Sequence, residues 1–420
     1  MKQVAKQISI YAADVSGVAS AMFELGGMTV IHDPSGCNST YNTHDETRWY
    51  DHDSLIFISA LTQKDAAMGN DDKLISDICR TALKLRPAFI SICGTPVPYM
   101  TGTDFRGIAA AVEKRTGIPT FGMHTNNMHA YFVGAGEAFG NIARRLVPER
   151  NATGQSDSGA GAEAGAKGLH NAKVPKQSAS NAVFKKRINI LGVTPLDFSA
   201  QNAGKKFKAV YEAAGYEVIS VWAMDSTLDE LMDSAAADVN IVVSSAGLEP
   251  AKVLRDRFGT PYAIGLPCIE PYGGCEMSKV FGQPDVDVGK HSEKLPHIVF
   301  LGEAVQNVSL AILTENVALA SGKGISTCVI SPLDTPRKLL RPGDVAAEDE
   351  TDIIPYLRGA DILVADPLYK PVCPDGTAFY PLPHHGFSGR MYDYGSFDAP
   401  DIICEATEIV DNILDGAVFA

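Results

Sequence analysis

Short apolar runs alternate with amphipathic stretches along most of the chain, which predicts an α/β fold of buried strands and covering helices. The apolar runs at 29–31 and 88–92 are the clearest, and each stops close to a cysteine with a neighbouring glycine, at Gly36-Cys37 and Cys93-Gly94. Continuous apolar runs of this length are typical of parallel strands that are buried on both faces. Ligands in such sheets bind at the carboxyl ends of the strands, so we expect the two cysteines to face one another across one site.

The first third of the chain is expected to form one α/β unit. Its first helix is predicted to end at Gly26-Gly27, because glycine commonly terminates helices. Acidic Asp71-Asp72 suits the start of a later helix. The predicted strands cover 28–32, 55–60, 88–92 and 118–122, and the predicted helices cover 8–25, 70–85, 103–116 and 126–146.

Two further units follow with the same alternation, which is the signature of right-handed βαβ units on a parallel sheet. In the second unit, strands are predicted near 188–193, 217–221, 239–244 and 261–266, and helices near 201–214, 226–234 and 248–258. In the third unit, a strand from 297 leads into a long helix to about 320, with strands at 325–331 and 360–366 and a terminal helix at 402–415. The predicted fold is therefore three Rossmann-like parallel-sheet domains.

The segment 149–181 interrupts this pattern, because it is rich in Gly, Ala, Ser and Lys and nearly free of large apolar residues. Such a segment cannot bury enough apolar surface to offset the entropy lost on ordering. We therefore predict a flexible linker there, with a mobile lid as the functional alternative. The expected domains are an N-terminal α/β domain with both strand-end cysteines (1–149), the linker (150–185), a second Rossmann-like domain (186–290) and a third with a C-terminal helix (291–420).

Composition and charge narrow the range of partners. A chain of 420 residues is too long for one hydrophobic core. Its net charge of −14 argues against nucleic acid or an anionic membrane as a partner, because both favour a basic surface. The sequence contains no run of 18 or more apolar residues, so no transmembrane helix is predicted. The opening residues lack the apolar core of a secretory signal. We therefore expect a cytoplasmic protein.

The eight cysteines are expected to be thiols or metal ligands, since cytoplasmic proteins rarely contain disulfides. A single cysteine can equally be a small buried apolar side chain, which is our interpretation of Cys79, Cys328 and Cys404. Cys268 and Cys275 lie in a proline- and glycine-rich loop after a predicted strand and are weaker candidates for metal ligands. Their spacing does not match a zinc site.

Three common catalytic motifs are missing from the sequence. It contains no G-x-x-x-x-G-K-[ST] phosphate loop, no G-x-G-x-x-G after a strand and no G-x-S-x-G nucleophile elbow. The chain is therefore not expected to bind ATP through a phosphate loop or to act as a serine hydrolase.

Ordered stretches of the sequence resemble one family, the catalytic component 1 of nitrogenase and its relatives. These relatives include cofactor-assembly scaffolds and dark-operating tetrapyrrole reductases. The similar stretches run in the family's order: TVIHDPSGCNSTY at 29–41, SALTQKDAAMG at 59–69, FISICGTPVPYMTGTD at 89–104, INILGVTPLD at 188–197, FLGEAVQNVSLAILTENVAL at 300–319 and DPLYKP at 366–371. The resemblance thus spans most of the chain.

This resemblance implies three Rossmann-like domains, paired subunits and an iron–sulfur cluster at the subunit interface. Cys37 and Cys93 match two of the three cysteine positions that commonly hold that cluster in the family. The third position falls near Ala13, where this chain has no cysteine. Backbone amides beside Gly36 and Gly94 are expected to donate hydrogen bonds to cluster sulfurs.

Two thiolates from one chain cannot close a four-iron cluster, which usually takes four cysteines. Two copies of the chain supply four, so a symmetric homodimer with one [4Fe-4S] cluster on its twofold axis satisfies the ligand count. A paralogous component 1 subunit that supplies the remaining ligands satisfies it equally, and Asp14 or His32 is a further candidate ligand. We expect Cys37 and Cys93 to lie within one cluster's span, at a surface that becomes a subunit interface.

The function implied by the resemblance is that of an oxidoreductase. The subunit would accept electrons from a separate P-loop ATPase iron–sulfur protein and reduce a substrate that the sequence does not identify. Dinitrogen is not expected, because the usual surroundings of the family's cofactor histidine are not clearly present. The loop at His384-His385 is a candidate lining of the active cavity, or else an ordinary polar loop.

Two other functions remain open at this point. The chain is alternatively a non-catalytic scaffold or carrier for a metallocluster or tetrapyrrole. It is otherwise a small-molecule Rossmann enzyme without a metal.

Overall fold

The computed structural model of the chain describes residues 12–34, 46–49, 52–149, 186–199, 202–267, 269, 271–275, 295–332, 334–348, 350–392, 411 and 413–414. Within these residues three β-sheets form, and each takes its strands from one continuous stretch of sequence. Helices cover the sheets, which confirms the predicted α/β fold with three Rossmann-like units. None of the helices in these ranges is both long and apolar enough to cross a membrane.

The first sheet is built from four parallel strands. They are β1 (Met28–His32), β2 (Leu55–Ile58), β3 (Ile90–Gly94) and β4 (Thr120–Gly122), in the order β2-β1-β3-β4. Every residue of β1 and β3 is buried, as expected for central parallel strands. The two hydroxyl side chains in these strands satisfy each other, since Thr29 Oγ1 lies 2.9 Å from Ser91 Oγ.

Six helices accompany this sheet: α1 (Asp14–Met22), α2 (Gln63–Met68), α3 (Asp71–Leu85), α4 (Pro96–Thr101), α5 (Phe105–Thr116) and α6 (Tyr131–Arg145). Helix α3 follows directly from its sequence. Its buried residues Leu74, Ile75, Ile78 and Ala82 repeat at helical spacing. Acidic residues occupy its first turn and Lys84 its last turn, which matches the helix dipole.

Helices α1 and α6 cross at very close range because glycine faces backbone on both sides. A Cβ added to Gly17 would overlap the carbonyl group of Tyr131, and one added to Gly134 would overlap the carbonyl group of Asp14. The crossing therefore depends on the absence of side chains at these two positions.

The second sheet contains five strands, β5 (Arg187–Val193), β6 (Glu217–Ala223), β7 (Val239–Val242), β8 (Tyr262–Ile264) and β9 (Gly273–Cys275). Their order is β6-β5-β7-β8-β9, and all pairs are parallel except β8 with the edge strand β9. Its helices are α7 (Ala203–Ala213), α8 (Leu228–Met232) and α9 (Leu248–Phe258), with 3-10 helices at Asp233–Ala236 and Ser245–Gly247.

The third sheet is parallel throughout. Its strands are β10 (His297–Leu301), β11 (Ser326–Pro332), β12 (Val345–Ala347), β13 (Ile362–Ala365) and β14 (Ala378–Pro381), in the order β12-β11-β10-β13-β14. Its helices are α10 (Ala304–Ala320), α11 (Glu350–Leu357) and α12 (His385–Ser388), with 3-10 helices at Arg337–Leu339, Pro367–Val372 and Gly389–Tyr392.

The three units meet around the N-terminal end of α6. The backbone N–H of Ala12 donates to the carbonyl of Gly386, and the N–H of Gly386 donates to the carbonyl of Leu196, at 3.0 and 2.8 Å. Residues from all three units thus share one backbone hydrogen-bond chain. Further along, α6 packs against α9 of the second unit.

The sequence predictions differ from the structure mainly at helix starts and in short elements. The helices predicted at 8–25 and 126–146 begin at Asp14 and Tyr131, because Ala13 and Ala130 pair in an isolated β-bridge. The prediction missed the helices α2, α4, α11 and α12 and the strands β9, β12 and β14; all except α11 are shorter than seven residues and show little periodicity. The predicted linker at 150–185 and most of the predicted helix at 402–415 lie outside the described residues.

Candidate functional site

The carboxyl ends of β1 and β3 form the topological switch point of the first sheet. Chain order reverses between these two strands, and in open α/β sheets ligands bind in the crevice at such a point. Ile31 pairs with Cys93 and His32 pairs with Gly94, so the strands end side by side. Cys93 therefore lies at the carboxyl end of a central strand, as the sequence predicted.

The loops that leave β1 and β3 are held together by side-chain hydrogen bonds. The Thr95 hydroxyl donates to Asp33 Oδ1 at 2.5 Å and approaches the carbonyl oxygen of His32 at 3.3 Å. Both Asp33 and Thr95 are buried. The chain that leads toward Cys37 thus starts from a fixed position beside the end of β3.

Cys93 itself is an interior residue in the single chain, with 0% of its surface exposed. Burial raises the pKa of its thiol well above the ordinary value, and the negative charges of Glu137 and Asp14 act in the same direction. The sequence led us to expect a surface position. The structure differs because α1 and α6, whose residues join Cys93 in one hydrophobic core, cover this side of the sheet.

Gly94 is required by packing at the end of β3. A Cβ at this position would overlap the Phe105 ring and would lie 2.9 Å from the carbonyl oxygen of Thr125. Its N–H donates to Thr125 Oγ1 at 2.9 Å. The amide that was expected to serve cluster sulfurs is therefore bonded to Thr125 in this structure.

Asp14 accepts three backbone hydrogen bonds beside this site. Its carboxylate oxygens receive the N–H groups of Val15, Asn126 and Asn127 at 2.7 to 3.0 Å. These bonds fix the loop before α6 against the start of α1. Asp14 also lies close enough to Cys93 to raise the pKa of the thiol.

His32 is the last residue of β1 and has a partner of its own. Its Nδ1 atom lies 2.8 Å from Ser59 Oγ, and burial lowers the pKa of the imidazole. The ring lines a cavity of about 180 Å³ between the sheet and α3, with Lys73 and Asp65 at its polar side. Asp14 and His32 stay predictions as metal ligands.

Several predicted site residues fall outside the described part of the chain. These are Gly36, Cys37 and Cys268; for Cys275 only the backbone in β9 is described. Among the described cysteines, Cys79, Cys328 and Cys373 are half-buried free thiols. Within the described ranges no three His, Cys, Asp or Glu side chains are grouped so that they could hold a metal ion.

The chain re-enters the described structure after Cys37 at a buried ion network. Arg48 Nε donates to Glu46 Oε1 at 2.7 Å, and its guanidinium also reaches Glu24 Oε1 and the carbonyl oxygen of Ser20, both at 2.8 Å. Arg48 is 2% exposed. This network anchors the far end of the Cys37 segment on α1 and the turn that follows it.

A second group of polar side chains lies where the carboxyl ends of the strands in the second and third sheets meet. Asp197 follows β5, and Glu303 follows β10, each at the switch point of its sheet. Tyr131 and Thr194 donate their hydroxyl hydrogens to Asp197. Glu303 accepts from the backbone and the hydroxyl of Ser245 and from the N–H of Gln306.

These two carboxyl groups are buried, and the pKa of each is raised. Burial and the nearby charge of Glu303 raise the pKa of Asp197 to about 7, and burial also raises the pKa of Glu303. Gln306 connects the two residues, since its side-chain amide donates to the carbonyl of Asp197 at 2.8 Å.

His384 lies beside this pair. It is 7% exposed, and its Nε2 atom lies 3.8 Å from Asp197 Oδ1. Neither ring nitrogen has a hydrogen-bond partner among the described residues. Burial lowers the pKa of the ring to about 3, so the imidazole is neutral at physiological pH.

Sequence reasoning located the motifs of this second group but not their roles. Asp197, Glu303 and Asp366 each lie in a stretch that resembles the family, and each directly follows a strand or its loop. A carboxyl residue after a buried strand is the signal that identifies such positions. Tyr131 gave no comparable signal, because only the tertiary structure brings it to Asp197.

The fold and these two groups of polar residues define an α/β protein of three units. The carboxyl ends of the second and third sheets meet in its interior. The chain belongs to the nitrogenase component 1 type oxidoreductase family, whose model matches residues 16–278, more than half of the chain. The resemblance read from the sequence is thereby confirmed.

Solved structures agree on the fold. The chain is similar to a structure described as "Nitrogenase Cp1 at pH 5", with a TM-score of 0.61 and 14% identity over 100% of this chain and 92% of the other. A second structure, "Nitrogenase Cp1 at pH 6.5", has a TM-score of 0.60 and 14% identity, over 99% of this chain and 91% of the other. No curated protein matches the chain.

Proposed function

We propose that this chain is an electron-accepting oxidoreductase subunit that receives electrons from a separate ATP-dependent iron–sulfur protein. The electrons enter through a [4Fe-4S]-type cluster shared with a second component 1-type subunit and reduce a substrate other than dinitrogen. The placement of Cys93 at the switch point of the first sheet is the observation that carries this proposal. The matching position of Cys37, five residues beyond the paired end of β1, supports it.

The donor chemistry at this edge fits an iron–sulfur cluster. Cysteine is the side chain that iron–sulfur clusters take as a ligand, and Cys93 is the cysteine that the described part of the sheet edge provides. The cluster would supply one-electron transfer when bound. Cys93 would lose its thiol proton on ligation, and the positive charge of the iron offsets the burial that raises its pKa.

Residues around Cys93 would position it and keep water away. Asp33 and Thr95 hold the two loops together, and Thr125 bonds both the N–H and the carbonyl of Gly94. Because Cys93 is covered in the single chain, its ligation requires part of this cover to open. In sequence, the segment that includes Cys37 continues from the end of β1 at this edge.

An exposed apolar surface near this site supports docking of the electron donor. Helices α2 and α4 pack side by side, and α4 directly follows β3. The exposed apolar side chains of these helices, which we name the α2–α4 patch, are Met68 (72% exposed), Val97 (38%), Tyr99 (60%) and Met100 (84%). Exposed apolar patches of this kind mark protein–protein contact sites.

The test is iron binding by the full chain under anaerobic conditions, alone and together with any second component 1-type subunit encoded with it. After anaerobic reconstitution the wild-type protein should contain iron and sulfide and absorb visible light. Cys37→Ala and Cys93→Ala should each lose most of that iron, because each thiolate is a ligand.

Cys79→Ala is the matched control, since Cys79 is a half-buried thiol on α3 that is assigned no ligand role. It should keep the wild-type iron content. A colourless, iron-free wild-type protein, or equal iron content in Cys93→Ala and Cys79→Ala, would overturn the proposal. Iron retained without electron acceptance would point instead to a cluster carrier.

A further inference from the structure

Two buried carboxyl groups take no part in the proposed electron entry. Asp197 and Glu303 lie at the carboxyl ends of β5 and β10, where the switch points of the second and third sheets face each other. Their exposed fractions are 5% and 1%. Ligand sites in α/β folds form at such points, so these positions are ones where chemistry is expected.

All donors to these carboxyl groups are neutral. Among the described residues, the partners are the hydroxyl groups of Tyr131, Thr194, Ser244 and Ser245 and the backbone N–H groups of Ser245, Val305 and Gln306. Within the described part of the chain neither carboxyl pairs with a lysine or arginine. Two buried carboxylates without a cation destabilise each other's charged form, which favours a pair with one protonated carboxyl group near neutral pH.

Three further titratable side chains near the pair, those of Tyr131, Tyr272 and His384, carry no positive charge at neutral pH. Tyr131 and Tyr272 stay neutral because burial and the carboxyl groups raise the pKa of both phenols. His384 stays neutral because burial lowers the pKa of its ring. Asp366 lies on the far side of His384, where it accepts the backbone N–H of that residue at 2.8 Å, and His385 follows next in the chain.

His384 provides a route for a proton out of the pair. One ring nitrogen, Nε2, points to Asp197 at 3.8 Å, and the other, Nδ1, has no partner among the described residues. A neutral imidazole accepts a proton on one nitrogen and gives one up from the other. A buried ring with both nitrogens unpartnered is costly unless they serve a ligand or a transfer.

We propose that Asp197 and Glu303 hold one proton between them at neutral pH and deliver it through His384 to the substrate. The proposal rests on the proposed function for its electrons, which the ATP-dependent iron–sulfur protein supplies. The Asp197 O–H bond breaks and an N–H bond forms at His384 Nε2. The Nδ1–H bond then breaks, and the proton bonds to the substrate atom that has gained the electron. Asp197 regains its proton from solvent, and the imidazole, left with its proton on Nε2, returns to the Nδ1–H tautomer before the next transfer.

The direct test is an infrared pH titration of the full chain, which needs neither cluster nor partner. The wild-type protein should show the carbonyl band of a protonated carboxylic acid that disappears as the pH rises through about 7, the pKa of Asp197. Asp197→Asn should remove this band, and Glu303→Gln should move its midpoint to lower pH, because the charge of Glu303 adds to burial in raising the pKa of Asp197. Asp256→Asn, at an exposed carboxylate on the surface of α9, should leave it unchanged.

A band that neither Asp197→Asn nor Glu303→Gln changes belongs to another group, such as Asp366, and overturns the proposal; so does the absence of any titrating band. With the electron donor present, Asp197→Asn and His384→Gln should each slow substrate reduction by roughly 100-fold and remove its decline above neutral pH. Unchanged rates in both variants would also overturn the proposal. If the wild-type chain accepts no electrons, the proposed function fails while the infrared titration still decides whether the pair holds a proton.

Discussion

At the scale of single residues, the sequence predicted where chemical groups lie along the chain better than what surrounds them. Cys93 was expected at the end of a buried strand because the apolar run stops there, and the structure places it so. Its burial under α1 and α6 depends on contacts with residues distant in the sequence, so the residues next to Cys93 do not predict it. The same holds for Asp197 and Glu303, whose approach depends on how two sheets face each other.

The pH dependence of stability tests the state of Asp197. Its native pKa of about 7 lies above the ordinary value of 3.8, so between these values the native state binds a proton that the unfolded state lacks. The stability contributed by this group is full below about pH 4 and is lost as the pH rises to 7, by up to about 1.4 kcal/mol per pH unit. In urea unfolding, the wild type should therefore lose stability relative to Asp197→Asn between pH 5 and pH 8.

His384 should act in the opposite direction and so provides an internal control. Its native pKa of about 3 lies below the ordinary 6.5, which means that the unfolded state binds a proton that the native state lacks. Relative to His384→Gln, the wild type should gain stability from pH 4 to pH 7. Stability differences that stay constant with pH in both variants would contradict the assigned protonation states.

At the scale of elements, the long helices and central strands follow from hydrophobic periodicity, whereas the contacts between them depend on single glycines. The buried residues of α3 repeat at helical spacing, and its predicted range of 70–85 differs from the observed helix by one residue. The close crossing of α1 and α6 could not be predicted, because a glycine in a helix pattern does not reveal which backbone it will contact. The short elements α2 and α4 were missed for lack of length.

Substitution at the α1–α6 crossing should destabilise the protein. A Cβ at Gly17 would overlap the carbonyl group of Tyr131, so Gly17→Ala must separate the two helices. We expect a loss of about 1–3 kcal/mol in the free energy of unfolding, measured by urea denaturation.

Gly136→Ala on α6 is the matched control. A Cβ there has its nearest neighbour, Glu249 Cβ, at 3.4 Å, which is an ordinary contact. This variant should be neutral or more stable by up to about 1 kcal/mol, because alanine favours the helix over glycine. Equal effects of the two substitutions would contradict the account of the crossing.

At the scale of the whole molecule, the number and type of the units were predictable because strand and helix patterns alternate regularly. The sequence did not reveal that the second sheet ends in an antiparallel strand or that the ligand edges of the second and third sheets meet in the interior. These features arise from contacts between distant residues. The edge proposed to accept electrons therefore lies in the first unit, and the pair proposed to hold a proton lies between the other two.

The α2–α4 patch should be needed for electron delivery and not for cluster binding. Met100→Asp places a charge at a side chain that is 84% exposed, so folding should be unaffected while docking of the electron donor is lost. We expect at least a tenfold lower rate of donor-dependent reduction with unchanged iron content.

Leu319→Asp serves as the control, because Leu319 is 78% exposed at the end of α10 in the third unit. The Leu319→Asp protein should show the wild-type rate of donor-dependent substrate reduction. A Met100→Asp protein that matches it would exclude the patch as the docking surface.

We propose that Cys37 and Cys93 of this chain hold an iron–sulfur cluster shared with a second subunit. Native mass spectrometry of the anaerobically reconstituted protein measures this directly. We expect an assembly of two component 1-type subunits, one of which is this 44.8 kDa chain. The mass of the assembly should include one four-iron cluster. The cluster mass should be missing in the combined Cys37→Ala and Cys93→Ala variant. An assembly without cluster mass, or one in which the variant keeps the cluster, would contradict the account.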